Sequence, residues 1–263
     1  MADHVRTIGV GVIGTGFIGK AHSIAYSAVS SVFGTGLRPT LEIVCDLSPE
    51  RAADRAADLG FDRYTDQWQQ LIDDSDVELI SICAPNALHR DISIAALEAG
   101  KHVWCEKPMA MSLTDAEDMV TAARSSSRKT IVGYNYIKNP AVTHAQRLIS
   151  DGMIGRITGF HGRYDVDNEA DENQPYSWRL SRDRSGTGAI ADILSHLLSV
   201  AHFITNSEVS NVVADVDVVH RQRPDPTNPS LSREVDNDDT VAALIHFANG
   251  AHGTLGASRV NWG

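Results

Sequence analysis

The sequence predicts an α/β protein in two parts: a doubly wound parallel sheet over residues 1–133, then an α+β domain over 134–263 with an open, mainly antiparallel sheet. Three observations carry that expectation. Short β-branched apolar runs alternate with helical patterns through the first half, the sequence form of a parallel sheet covered on both faces. Gly14, Gly16 and Gly19 stand in G-x-G-x-x-G spacing between the first such run and the first helical pattern. After Tyr136 the pattern changes, and the runs Val209 to His220 and Thr240 to Phe247 alternate enough to read as antiparallel strands.

The first strand is Ile8 to Ile13, and Phe17, Ile18, Ala21, Ile24 and Ala25 follow at helical spacing. Between them the first glycine permits a tight turn, the second admits a pyrophosphate close to the backbone, and the third lets helix and strand pack together. The amides and dipole of the helix start suit an anion there. Ser30 to Thr40 reads as a turn-rich connection and Leu41 to Asp46 as the second strand. Asp46 lies 46 − 19 = 27 residues past Gly19, beyond the usual spacing of about 20, and the intervening loop accounts for the excess. Its carboxylate suits adenosine ribose hydroxyls and repels the extra phosphate of NADP, so NAD is favoured, with Arg51 the residue able to admit NADP. Asp46 also reads as a helix N-cap, a part Ser48 fills equally well ahead of Pro49.

A helix from Pro49 to Leu59 stops at Gly60, and a short one follows over Asp66 to Asp73. The strand Val77 to Cys83 leads into Pro85-Asn86 and His89, and the next helix closes at Gly100. Lys101 to Cys105 is a strand leading directly into Glu106-Lys107-Pro108; a helix over Thr114 to Ser125 and a strand over Thr130 to Asn135 complete the first half. Ligands of such sheets sit beyond the carboxyl ends of the strands, where all these motifs fall. Read alone, Lys107 is equally a solvated loop lysine, and His22 and His89 are satisfied or exposed histidines.

In the second half a helix runs from Tyr136 to Asp151, an extended stretch covers Arg156 to Val166, and a polar loop precedes Trp178-Arg179. A helix opening at Ser185 and running to Thr205 places Ile190, Ile193, Leu194, Leu197, Ala201 and Ile204 on one side. Asp192 and His196, four residues apart, are neighbours on the other, facing either solvent or a cleft. In a cleft, His196 could exchange a proton with a substrate hydroxyl near neutral pH and Asp192 could orient it. The loop Arg221 to Asn237 and a turn at Ala248-Asn249-Gly250 separate the strands.

Bulk properties exclude several classes. Lys and Arg total 23 against 34 Asp and Glu, a formal charge of −11, which argues against nucleic acid as a partner. No apolar run approaches the roughly 20 residues that span a bilayer, and Met1 to Arg6 lacks a signal-peptide core, so no membrane partner and a cytoplasmic location are expected. Cys45, Cys83 and Cys105 fit neither a disulfide framework nor a zinc site and read as buried thiols, and no metal is expected.

The run GTGFIGKAH, Asp46, Pro85-Asn86 with His89, Glu106-Lys107-Pro108, Trp178-Arg179 and the Asp192 to His196 pair together resemble the glucose-fructose oxidoreductase, inositol dehydrogenase and MocA family over nearly the whole chain. The resemblance implies a Rossmann domain binding NAD, less favourably NADP, and a substrate-binding domain that also serves oligomerisation through its open sheet. It implies hydride transfer between the nicotinamide C4 and a carbinol carbon of a sugar, anhydrosugar or cyclitol; Tyr134-Asn135-Tyr136 and Ser258-Arg259 look most like sugar and anhydrosugar dehydrogenases. Lys107 would orient the reacting oxygen, His196 would be the acid/base, and Asp192 would position substrate and histidine. Gly14, Gly16, Phe17, Ile18, Gly19, Asp46, Pro85, Asn86, His89, Glu106 and Lys107 would meet the cofactor, while Asn135, Trp178 and Arg179 would line the sugar site with the catalytic residues.

Thr187 and Leu194 depart from the family pattern, where glycine and a small residue are common, and family members continue well past Gly263. Two other readings stand beside the enzyme: a non-catalytic nucleotide-binding or regulatory protein of the same fold, and a reductase of a non-sugar carbonyl.

Overall fold

The computed structural model describes residues 5–34 and 36–262, which group into two compact units parting between Gly133 and Tyr134. Sequence expectations that fall on Met1–His4, Thr35 and Gly263 lie outside the described residues.

In the first unit β1 (Arg6–Ile13), α1 (Phe17–Phe33), β2 (Leu37–Cys45), α2 (Pro49–Leu59), β3 (Arg63–Thr65), α3 (Gln69–Asp73), β4 (Leu79–Ile82), α4 (His89–Glu98), β5 (His102–Cys105), α5 (Leu113–Ser125) and β6 (Thr130–Val132) follow in turn. The strands form one sheet in the order β3-β2-β1-β4-β5-β6, every pairing parallel. The order reverses between β2 and β4 about β1, the switch point at which such sheets bind ligands. Both faces are covered: Val10, Val12 and Val44 pack with Tyr26, Ala56 and Phe61, and Ile13, Ile43, Ile80 and Ile82 pack with Leu71, Ile92 and Met119. Each Val, Ile, Leu, Phe or Met among them contributes about 1.5–3 kcal/mol on burial.

Local chemistry sets the helix ends. Ser48 caps α2 by accepting from Arg51 N at 3.3 Å, Pro49 occupies the first turn, and Gly60 closes it in the left-handed region at φ 81°. Ser48, not Asp46, is therefore the cap. Two expectations need revision. α1 reaches Phe33 and β2 begins at Leu37, so part of the predicted loop is strand. Pro39 is tolerated there because β2 pairs β3 only over Ile43–Cys45, leaving the strand's other edge open at the proline. The short strand β3 was not predicted.

The second unit has α6 (Pro140–Ser150), β7 (Gly159–Asp165), a short α7 (Arg182–Ser185), α8 (Ser195–Thr205), β8 (Val209–Asp217), β9 (Gln222–Pro224), β10 (Ser232–Glu234), β11 (Thr240–Phe247) and β12 (His252–Ser258). Its main sheet runs β7-β12-β11-β8; β8 and β12 flank β11 antiparallel, but β7 joins β12 in parallel. One face packs Val241, Ala243, Ile245 and Leu255 against Ile193, Leu194 and Ala201, and the other leaves the cross-strand pair Leu244 and Val213 exposed. The predicted loop Arg221 to Asn237 contains the β9–β10 ladder.

The helix expected from Ser185 is not regular. Between α7 and α8 the chain passes through Gly186 at φ 81° and a π-type turn over Ile190–Leu194. Taken together, Arg182–Thr205 is long and apolar enough to cross a membrane by length and composition, which corrects the expectation that no run approaches that length. Ile193, Leu194 and Ala201 are nevertheless core residues of this unit.

Candidate active site

The candidate residues form two groups, one in each unit. In the first, the Gly14 turn has φ 89°, a conformation open to glycine, and a Cβ there would lie 2.6 Å from Cys83 O. A Cβ on Gly19 would lie 1.9 Å from Gly14 O, so the third glycine is what seats α1 on the turn. A Cβ on Gly16 would meet nothing within 4 Å. Gly16 is also the N-cap of α1, with no side-chain cap bond and no acidic residue in the first turn. The amides of that end are thus presented beneath open space, as a pyrophosphate requires, and the residues fit a dinucleotide.

Asp46, 7% exposed, uses both carboxylate oxygens. Oδ2 accepts from Thr15 N at 3.0 Å and from the Thr15 hydroxyl; Oδ1 accepts from Leu47 N at 2.7 Å and from Arg51 Nε at 2.9 Å. Burial pushes its pKa up, but the bonds from Thr15 and Leu47 and the Arg51 charge outweigh burial and hold the carboxyl below its ordinary value. The carboxylate therefore shapes the glycine turn while standing at the end of β2.

At the end of β5, Glu106 is buried: its Oε1 lies 3.0 Å from His22 Nε2 and its Oε2 accepts from Lys107 N at 3.3 Å. Lys107 is half-buried, as is Pro85, while Asn86 is buried. His89 is 1% exposed, with Nδ1 2.8 Å from Pro108 O and Nε2 3.0 Å from Ala84 O. Both ring nitrogens are turned to backbone, and burial, ahead of the opposing carbonyls, lowers its pKa. Phe17 is 89% exposed and Ile18 half-buried; of the predicted apolar face of α1, Phe17, Ala21, Ile24 and Ala25 face outward. The helix instead buries Gly19, His22, Ser23 and Tyr26. Burial pushes Cys45 and Cys105 up to about 12 and raises Cys83 as well, so the three thiols stay protonated.

In the second unit His196 is buried and packed by two tyrosines. The Tyr136 ring lies 4.4 Å from it, tilted 37°, and the Tyr134 ring meets it edge-on at 6.0 Å. Tyr136 and Tyr164 share a 2.5 Å hydroxyl–hydroxyl bond. Burial first, then that bond and the charges of Tyr136 and Asp192, push Tyr164 up to about 12. Asp192 thus belongs to this cluster electrostatically, but it sits in the π-type turn, not on a regular helix with His196. Asn135 is exposed in the turn Asn135–Lys138, and the Arg179 guanidinium stacks 4.5 Å over Trp178.

A buried polar frame, which the sequence reading missed, holds that segment. Arg259 donates to Asp239 Oδ1 at 2.8 Å, Asn237 Oδ1 at 2.7 Å and Arg179 O at 3.1 Å. Asp238 accepts from Gly188 N at 2.8 Å and Ile190 N at 2.7 Å, fixing the start of the π-type turn. Among the described residues no group of three or more His, Cys, Asp or Glu could hold a metal ion.

Residues 8–134 match the family model described as "Oxidoreductase family, NAD-binding Rossmann fold", and residues 142–263 match the "GFO/IDH/MocA C-terminal domain". The chain is 39% identical to the levoglucosan dehydrogenase of Pseudarthrobacter phenanthrenivorans, over 97% of this chain and 68% of that protein. It belongs to the GFO/IDH/MocA oxidoreductase family. The 1,5-anhydro-D-fructose reductase of Ensifer adhaerens is 37% identical over 64% of this chain and 49% of that protein. A solved levoglucosan dehydrogenase in complex with NADH superposes at a TM-score of 0.94, with 39% identity, covering 98% of this chain and 68% of the other.

This GFO/IDH/MocA chain is therefore an oxidoreductase enzyme with an NAD-binding Rossmann domain. Of the residues the sequence reading missed, Ser81 had a visible signal: it is a polar residue inside the doubly buried run Leu79-Ile80-Ser81-Ile82. Thr15, Gly133 and Asn237 to Asp239 had none, because their partners are distant in sequence.

Proposed function

We propose that this chain oxidises a sugar, with an anhydrosugar such as levoglucosan the first substrate to test, using NAD in preference to NADP. The observation that carries the substrate class is the 39% identity with a levoglucosan dehydrogenase across 97% of this chain. NAD supplies the hydride acceptor. The protein's task is to orient the carbinol and take its proton.

In this reading residues 1–133 bind the dinucleotide and 134–263 the sugar. Gly14, Gly16, Gly19, Phe17 and Ile18 flank the phosphates, Asp46 meets the adenosine ribose, and Pro85, Asn86 and Glu106 complete the cofactor site with Lys107. Lys107 orients the reacting oxygen through its ammonium. His196, held between aromatic rings, accepts the hydroxyl proton at an imidazole nitrogen, and Asp192 positions it and the sugar. Asn135, Trp178 and Arg179 add sugar contacts. His89 is the exception among the cofactor residues: its ring nitrogens face carbonyl oxygens, so its part is to tie loops together. The exposed face of the second sheet, with the pair Leu244 and Val213, supports a homo-oligomer, which light scattering tests.

A panel of levoglucosan, aldoses and inositols with NAD, followed at the nicotinamide absorbance, tests the substrate class; turnover confined to a non-sugar carbonyl would overturn it. His196→Ala should lose roughly 10²-fold in turnover, and Lys107→Met should lose far more in turnover than in NADH affinity. Unchanged kcat in either variant removes that residue from the mechanism.

A further inference from the structure

Lys107 has a buried histidine fastened to the residue on each side of it. On one side, Glu106 places its carboxylate 3.0 Å from His22 Nε2. An ionised carboxylate only accepts, so Nε2 carries the proton, and in the neutral ring Nδ1 accepts from the Ser81 hydroxyl at 2.7 Å. The imidazole is held in that orientation by Trp104, centroids 4.8 Å apart, and by Tyr26 at 6.2 Å. Gly133 leaves room for the carboxylate, since a Cβ there would stand 2.1 Å from Glu106 Oε1. On the other side, His89 Nδ1 reaches Pro108 O at 2.8 Å while its Nε2 faces Ala84 O at 3.0 Å.

We infer that His22 and His89 are positioning residues that set the placement of Lys107 by fixing Glu106 and Pro108 from α1 and α4. The inference rests on the proposed role of Lys107. A lysine ammonium rides on a flexible four-carbon stem, so the fold controls its position chiefly by fixing the backbone from which the stem starts. A misplacement near 1 Å is enough to cost roughly 10²-fold in rate. His22 also lies on the helix whose N-terminus forms the glycine turn, so the same element that receives the phosphates braces the turn that presents the lysine. Core packing alone does not call for a histidine at position 22: a hydrophobic residue would fill the space without engaging Ser81 and Glu106.

The test reads Lys107 directly. In the full chain carrying 13C-labelled lysine, the Lys107 side-chain resonance is assigned by its loss in Lys107→Met and titrated in wild type, His22→Gln, His89→Gln and the milder Ser81→Ala. The inference expects the Lys107 titration midpoint to move in His22→Gln and His89→Gln, and levoglucosan turnover with NAD to fall roughly tenfold or more. The fall in turnover should exceed any fall in NADH affinity, read by fluorescence, because phosphate binding at the start of α1 is left alone. An unmoved Lys107 midpoint in folded His22→Gln and His89→Gln overturns the inference; if His22→Gln fails to fold, Ser81→Ala and Gly133→Ala decide for His22 and its Glu106 contact, and if His89→Gln fails to fold, His89→Asn, whose amide stands near the Nδ1 position, decides for His89. Full turnover in Lys107→Met would instead refute the catalytic role of the lysine, while its resonance still reports whether the histidines place it.

Discussion

Asp46 and Thr15 are joined twice, the threonine donating both its backbone N–H and its hydroxyl to one carboxylate oxygen, so the acidic residue at the end of β2 is part of the glycine turn itself. Asp46→Asn puts an amide N–H₂ against Thr15 N–H or Arg51 and removes the charge. Hydrogen bonds to charged groups are worth about 1.5–3 kcal/mol, so the kcat/KM for NAD should fall tenfold or more. Arg51, released from Asp46, is then available to an extra phosphate, and the ratio of NADP to NAD use should rise. Steady-state kinetics with both dinucleotides reads this; an unchanged ratio would separate Asp46 from cofactor choice.

His89 predicts a pH dependence of stability. Its folded pKa is lowered by burial, ahead of the carbonyls of Pro108 and Ala84 and the Glu106 charge, which oppose, and with Lys107 adding to the lowering. Below the ordinary histidine value of about 6.5 the unfolded chain therefore binds a proton that the folded chain resists. The His89 contribution is fully present above that pH and is lost as pH falls toward the depressed value. Urea midpoints should drop between neutral pH and mildly acid pH, and His89→Gln should flatten that part of the curve. Equal slopes in the two proteins would show the site does not titrate this way.

The cluster around His196 makes an electrostatic prediction. Because Asp192 is among the charges that push the Tyr164 phenol up to about 12, Asp192→Asn should bring the tyrosine down, seen as an earlier ultraviolet tyrosinate transition. Tyr136→Phe removes the hydroxyl partner of Tyr164 and should also lower it while keeping the ring against His196. If neither substitution moves the transition, the charge is not felt there.

The parallel sheet was legible because β1, β4 and β5 are short apolar runs ended by glycine or proline signals, and the capped helix α2 because Ser48, Pro49 and Gly60 are local. What periodicity could not supply was partnership at a distance. It groups Phe17, Ile18, Ala21, Ile24 and Ala25 at helical spacing on α1, whereas the helix buries His22, whose partners Ser81 and Glu106 lie 59 and 84 residues away. Alternation likewise marks β7 as extended but carries no direction, so its parallel pairing to β12 was invisible. The π-type turn at Ile190–Leu194 depends on Asp238, 48 residues beyond Ile190, and no local pattern announces it. The glycine spacing was readable, although what each glycine does depends on neighbours such as Cys83 that the spacing does not name.

That distinction gives the sharpest contrast. Gly19→Ala drives a Cβ to within 1.9 Å of Gly14 O; a backbone atom has nowhere to go, so α1 must shift, destabilising the protein by about 1–3 kcal/mol and weakening NAD together. At Gly16 the backbone has φ −62°, which alanine adopts without strain, and the new Cβ meets nothing within 4 Å. Gly16→Ala should therefore leave apo stability within about 0.5 kcal/mol of wild type. If the space over that amide belongs to the pyrophosphate, the methyl occupies it, and NADH affinity should fall tenfold or more while the melting temperature without cofactor stays put. Calorimetric titration and thermal melts of the two variants separate the cases. Equal loss of stability in the two variants would show that the space over Gly16 is not open, and full NADH affinity in Gly16→Ala would place the phosphates somewhere other than the start of α1.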